Sequence, residues 1–166
     1  MNIVWLKRDL RLNDHCPLYN AEHSDDQYII IYIFEPSLIK YPDTSLRHLQ
    51  FIYQSLKDMN NSLKKFNRKV EIIENEALTV FEDILKRYDV KNVYSYQESG
   101  IQKSYDRDND ISKLFKEKNI GWNQYQRDGI IRGINDRKGW DKKWYSTMHQ
   151  NQIKNHFSNC NTSFKN

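Results

Sequence analysis

Seven consecutive apolar residues, YIIIYIF at Tyr28–Phe34, constrain this chain more than any other feature. A strand with one wet face alternates apolar and polar side chains. An unbroken β-branched and aromatic run therefore belongs to a strand covered on both faces, as in a parallel sheet. Shorter apolar runs at Ile3–Leu6, Val70–Ile73, Val90–Tyr96 and Ile120–Tyr125 repeat the reading.

Helical patterns lie between these runs. Leu46, Leu49, Ile52, Tyr53, Leu56, Met59, Leu63 and Phe66 recur at three- and four-residue steps, and Asp43, Thr44 and Ser45 ahead of them are N-cap candidates. Leu78, Phe81, Ile84, Leu85 and Tyr88 form a second stripe, with Asn75 as its cap. Ile111, Leu114 and Phe115 mark a further helix that should stop near Asn119 or Gly121, and a short first helix is expected over Pro17–Glu22. Strand–helix alternation implies right-handed crossovers. The fold class predicted is α/β, a Rossmann-like doubly wound parallel sheet of about five strands with helices on both faces. Ligands on such sheets bind outside the carboxyl ends of the strands, which puts the loops after Leu6, Phe34 and Tyr96 at the functional edge.

At 166 residues the chain fits one domain. We divide it into an α/β domain over 1–125, a Gly- and Trp-punctuated strap over 126–148, and a polar, frayed tail over 149–166. Hydrophobic residues make up 38% and aromatic residues 13%, enough to exclude intrinsic disorder. Cys16 and Cys160 show no metal-ligand spacing, and there is neither a signal-peptide pattern nor an apolar run of ~18 residues. A cytoplasmic protein that does not enter membranes is the expectation. Between Arg127 and Lys154 seven cations face three acids, a local +4 equal to the excess of the whole chain. Lys138, Lys142 and Lys143 in this stretch are weak candidates for contact with nucleic acid; a solvated face is the plainer reading.

The densest chemistry is in WLKRDLRLND, Trp5 to Asp14. A strand ends there and delivers Lys7, Arg8, Asp9, Arg11 and Asp14 into one loop. Asp9 and Asp14 are close enough in sequence to pair with Arg8 and Arg11. Such a cluster either binds a ligand or braces the first crossover.

The segment WLKRDLRLNDHCPL closely resembles the opening signature of photolyases and cryptochromes, W-x-x-R-D-L-R-L-x-D. Phe34-Glu35-Pro36, the stretch DTSLRHLQFIYQSL (43–56) and YSYQESGIQKSYDRD (94–108), closing on Arg107-Asp108, are similar to later features of that family in the same order. The strap from Gln126 to Met148 looks like the piece leading to its second domain. The resemblance spans roughly residues 2–148. It implies a family that repairs ultraviolet pyrimidine lesions in DNA, or signals light, with FAD held in an all-helical C-terminal domain. The N-terminal α/β domain binds or borders an antenna chromophore, a folate, deazaflavin or flavin. Carried over by position, Arg8 is the first antenna-contact candidate, then Tyr32 and Glu98, with Phe34 and Gln97 beside them. Trp5, Asp9, Arg11, Asp14, Arg107 and Asp108 are the structural part of the motif.

Each residue also has a plainer role. Tyr32 and Phe34 sit two apart in an apolar strand and suit core packing, and Glu98 could merely pair with Lys103. Arg107 and Asp108 read as the start of a helix, the acid favoured there by the helix dipole. Trp140 and Trp144 would pack the strap onto the sheet or against a partner. No dinucleotide or phosphate-loop glycine motif, nucleophile elbow or metal-binding histidine spacing occurs.

The expected function is therefore that of an antenna domain without the helices that hold FAD, neither repairing DNA nor binding FAD alone. Its partner would be a helical FAD-binding domain, in cis or in trans, and DNA would be met through that domain. The alternative is a non-catalytic nucleotide-binding or interaction module that uses the same sheet edge or the basic strap. The strap also offers a surface for self-association.

Overall fold

A computed structural model describes residues 1–130, 136–159 and 164. Five parallel strands, β1 (Asn2–Leu6), β2 (Tyr28–Phe34), β3 (Val70–Glu74), β4 (Asn92–Tyr96) and β5 (Gly121–Tyr125), form one sheet in the order β3-β2-β1-β4-β5. The helices are α1 (Cys16–Glu22), α2 (Pro36–Ile39), α3 (Leu46–Leu63), α4 (Ala77–Arg87), α5 (Gln102–Glu117) and α6 (Trp140–Met148), with a 3₁₀ turn at Lys64–Phe66. This is the doubly wound architecture expected from the alternating runs.

The two-sided burial read from the apolar runs holds where strands are central. Every residue of β1 is buried, as are six of the seven in β2. One core packs Ile3, Trp5, Ile31 and Ile33 against Phe81, Ile111 and Phe115 from α4 and α5. The other packs Val4, Leu6, Ile30 and Tyr32 against Leu18, Leu56 and Leu63 from α1 and α3. The edge strands β3 and β5 are only half covered, and charged Glu71 and Glu74 on β3 discourage edge pairing.

Strand order reverses between β1 and β4, because the chain adds β2 and β3 on one side and then returns to the other. The crevice at that switch point opens at the carboxyl ends of the two strands. The loops Lys7–Asp9 and Gln97–Gly100 flank it.

Local chemistry explains the helix ends. Ser45 caps α3, its Oγ accepting the His48 N–H at 3.4 Å while His48 Nδ1 accepts the Ser45 N–H. Asn119 takes a left-handed φ of 56° just beyond α5, as the sequence suggested for its stop. Asn75, expected as a cap, instead precedes the N-cap Glu76 and accepts its N–H.

Three expectations need correction. The helix carrying Arg107 and Asp108 starts five residues earlier, at Gln102, so this pair is not a cap. Ser104, Asp108, Ile111 and Phe115 are all buried at three- and four-residue steps, and the stripe that packs α5 onto the sheet carries a carboxylate in its middle. An apolar periodicity cannot register that turn. The strap contains α6, but none of its residues is buried. Trp140 and Trp144 stack on each other at 6.4 Å and join neither core, whereas Trp122 stacks on Trp5 at 6.1 Å.

The described part of the tail, expected to fray, runs along α1. Asp14 and Ile153 exchange hydrogen bonds, Asn155 bridges both backbone groups of His15, and Phe157 meets Phe66 at 5.6 Å. Ser158 donates its N–H and hydroxyl to Glu22 Oε1, and its carbonyl accepts Arg68 Nε–H. Polar side chains hold this segment, which is why a search for apolar periodicity passes over it. Cys160 lies outside the described residues.

Candidate functional site at the sheet carboxyl rim

The rim is organised by Arg107. Its Nη1 lies 2.5 Å from Glu35 Oε1, and its Nη2 is 2.8 Å from Glu98 Oε2 and 2.9 Å from Asp108 Oδ1. Glu35 follows β2 and Glu98 follows β4, so one α5 side chain fastens two strand exits. Lys7, just beyond β1, completes the group through Asp108 Oδ2 at 2.7 Å. The indole of Trp5 forms the floor, with Lys7 Nζ 4.5 Å and the Arg107 guanidinium 4.9 Å from its ring centre.

Arg8 joins from the solvent side, its Nε 3.3 Å from Glu98 Oε1. Lys7, Arg8 and Arg107 thus face Glu35, Glu98 and Asp108, three cations against three carboxylates. Side-chain exposure separates the members: Arg8 is 54% exposed, and the other five are at most 12%. The five buried members set two cations against three carboxylates, and the half-exposed Arg8 balances the remaining negative charge from the solvent side. Gly100 leaves room at this spot, since a Cβ there would come within 2.6 Å of Arg8 Nη2, Glu98 Oε1 and Ser104 Oγ and force those side chains to shift.

Burial dominates the protonation chemistry of this cluster. It pushes the Lys7 ammonium below its ordinary value, opposed by the Asp108 carboxylate. Burial raises Glu35 despite Arg107 beside it. Burial also opposes the charge on Arg107, but Glu35, Asp108 and Glu98 outweigh it and hold the guanidinium above its usual value.

Two expected pairings are replaced. Among the described residues Asp9 makes no arginine bridge; its Oδ2 accepts from His15 Nε2 at 2.6 Å and its Oδ1 from the Lys7 N–H, both deep in the protein. His15 Nδ1 accepts the Leu18 N–H and so caps α1, which leaves the ring proton on Nε2 for Asp9. Glu98 pairs with Arg8 and Arg107 rather than Lys103. The Arg11–Asp14 pairing holds, chiefly through the Asp14 carbonyl at 2.7 and 2.9 Å, with the carboxylate at 3.5 Å. It closes an exposed turn in which Asp14 has φ 52°.

Tyr32 and Phe34 share the other side of β2, their rings edge-to-face at 5.0 Å. Tyr32 is nearly buried, and its hydroxyl makes no hydrogen bond among the described residues. Burial, followed by the Glu35 charge, pushes its pKa up to about 12, so it stays a neutral donor. Gln97 continues the ladder by donating its N–H to the Tyr125 carbonyl. Lys138, Lys142 and Lys143 are exposed on and beside α6, remote in sequence from these loops.

The structural roles of Lys7, Glu35 and His15 were missed from sequence. Glu35 showed only as the acid before Pro36. A cleft of about 570 Å³ lies away from the rim, at the amino edge beside the C-terminal ends of α4 and α5. Of its cations, Lys86, Arg87 and Lys118 sit where helix-terminal carbonyls favour positive charge and Lys91 pairs with Asp26, which accounts for them without a ligand.

A family model described as DNA photolyase matches residues 2–152. The chain belongs to the DNA photolyase family. Cryptochrome-2 of Gallus gallus is 29% identical over 120 residues, which are 72% of this chain and 20% of that protein. Cryptochrome DASH of Synechocystis is 28% identical over 101 residues, 58% of this chain and 21% of its own length. The chain therefore spans about a fifth of these relatives. Among solved structures, an archaeal photolyase from Sulfolobus tokodaii, described with two FAD molecules, superposes with a TM-score of 0.78 at 23% identity. That match covers 95% of this chain and 38% of the other. A Synechocystis cryptochrome superposes at 0.69 with 25% identity, over 76% of this chain and 27% of its own. The chain corresponds to the N-terminal α/β domain of photolyases and cryptochromes. Among the described residues no helix is long and apolar enough to cross a membrane.

Proposed function

We propose that this chain serves as the antenna side of a photolyase- or cryptochrome-type protein. Its carboxyl rim takes a planar chromophore, a folate, deazaflavin or flavin. It works with a helical FAD-binding domain, supplied in cis or in trans, that acts on ultraviolet-damaged pyrimidines in DNA. A cytoplasmic location goes with this reading. The observation that carries it is the half-exposed Arg8 guanidinium, fixed by Glu98 at the switch point of the sheet.

The rim suits such a group. Arg8 offers donors to a carbonyl or an acidic tail, Tyr32 offers an unengaged hydroxyl, and Phe34 offers a half-buried ring. A bound chromophore would supply light absorption and pass its excitation onward. The chain's own task is to orient that ring system and shield one of its faces. Catalysis is assigned to the FAD-bearing domain, so the chain alone should not repair DNA.

Titration with a folate, a deazaflavin and riboflavin, followed by absorbance and fluorescence quenching, tests this directly. Micromolar binding of one of them, weakened at least about tenfold by Arg8→Leu, is the expected outcome. Absence of binding at high micromolar ligand rejects an antenna role.

The exposed Lys138, Lys142 and Lys143 favour a second reading in which the strap touches nucleic acid. Exposed Trp140, Tyr145 and Met148 on α6 would serve self-association in the same region.

A further inference from the structure

The loop after β4 and the segment after β5 face α6 across a cleft of about 480 Å³, within the range of small-molecule sites. Gln97, Gln126, Ile130, Lys143, Ser146 and Thr147 line it.

Its walls are tied in place. Asp128 Oδ2 accepts the Ser99 hydroxyl at 2.5 Å and Oδ1 accepts the Ile130 N–H at 3.1 Å, which joins the two loops. Gln126 Nε2 donates to the Ile130 carbonyl. Gly129, at φ 69°, lets the segment press against α6, where a Cβ would stand 3.1 Å from Trp144 Cδ1. The two loop walls are therefore fixed to each other, with Gly129 against α6.

Its polar lining is one-sided. No carboxylate is among the described lining residues, and the nearby Asp128 is engaged with Ser99 and Ile130. Lys143 Nζ, the Gln97 amide and the Ser146 hydroxyl have no hydrogen-bond partner among the described residues. A cation and a hydroxyl without a competing acid suit an anion, and a free amide beside them suits an edge that both donates and accepts.

We propose that this cleft binds a mononucleotide-sized phosphate ester. The phosphate sits on Lys143 and Ser146, the base or sugar edge on Gln97, and Ile130 gives apolar contact. The cleft adjoins the rim through Gln97, but Arg8, Tyr32 and Phe34 do not line it.

Calorimetric titration of the full chain with AMP, adenosine and inorganic phosphate tests the assignment. AMP should bind at least about tenfold tighter than adenosine or phosphate. Lys143→Met should bring AMP down to the adenosine level. Gln97→Leu should weaken AMP and adenosine alike, and Arg8→Leu should change neither. Both substituted side chains of the cleft lack internal partners, so the variants should keep the wild-type circular dichroism. Equal binding of AMP and adenosine, no AMP binding, or AMP preference surviving Lys143→Met overturns the proposal. Phosphate binding as tightly as AMP overturns the ligand class, and AMP loss in Arg8→Leu moves the site to the rim.

Discussion

Arg107 Nη1 and Glu35 Oε1 meet at 2.5 Å although 72 positions separate them in the chain. Through this contact and its bond to Glu98, a single α5 side chain fixes the exits of β2 and β4. The geometry of the rim therefore depends on a residue that makes no claim to touch a ligand.

Replacing Arg107 with Leu should cost about 3–5 kcal/mol, because Glu35, Glu98 and Asp108 would keep their burial and lose their shared cation. Arg107→Lys should recover only part of this, since an ammonium cannot bridge three carboxylates in the plane of a guanidinium. Urea denaturation of both variants measures it. A loss below about 1 kcal/mol for the Leu variant would show the network to be dispensable.

Stability should fall on the acid side through Asp9. Burial alone would raise its pKa, but the hydrogen bonds from His15 and the Lys7 N–H bring it below the ordinary 3.8. A lowered folded-state pKa gives stability that is present above 3.8 and lost as pH drops through the folded value. Glu35 has the opposite sign, since its raised pKa costs stability as pH climbs past 4.5. Asp9→Asn should remove the acid-side loss alone, while costing about 1.5–3 kcal/mol at neutral pH. Denaturation curves between pH 3 and 7 compare the two, and identical acid limbs would contradict the assignment.

Asn155→Ala should destabilise by about 2 kcal/mol, because its amide satisfies both the N–H and the carbonyl of His15. The specific readout is faster hydrogen exchange at the His15 amide. Unchanged exchange would mean that the tail segment does not hold the start of α1 in solution.

Should the strap contact DNA, binding ought to be weak and steeply salt-dependent. A slope of log K against log salt near −3 corresponds to about three phosphate contacts. Changing Lys138, Lys142 and Lys143 to Glu together should abolish it, as read by fluorescence anisotropy at several salt concentrations. Retained affinity in the triple variant would remove nucleic acid from the functions of α6.

Much of the fold was visible in residue order. YIIIYIF became β2 at the bounds its apolar run suggested, and the stripe through Leu56, Met59 and Leu63 became the buried side of α3. The opening motif placed Arg8 at the rim. Its pairing was not visible, because Glu98 lies ninety residues away and the nearer Asp9 is turned inward by His15. Arg107 and Asp108 were recognised as a pair and given the wrong job, since a carboxylate on the buried stripe of a helix looks like surface to any apolar count.

The chain's own order of side chains determined where strands and helices lie and which faces they cover, since backbone propensity and apolar periodicity act over a few neighbouring residues. Which charges meet was decided only by the packed structure. Once the sheet brings the ends of β1, β2 and β4 beside α5, burial removes water from five ionisable groups at once, and each must take whichever opposite charge the fold has set within about 3 Å.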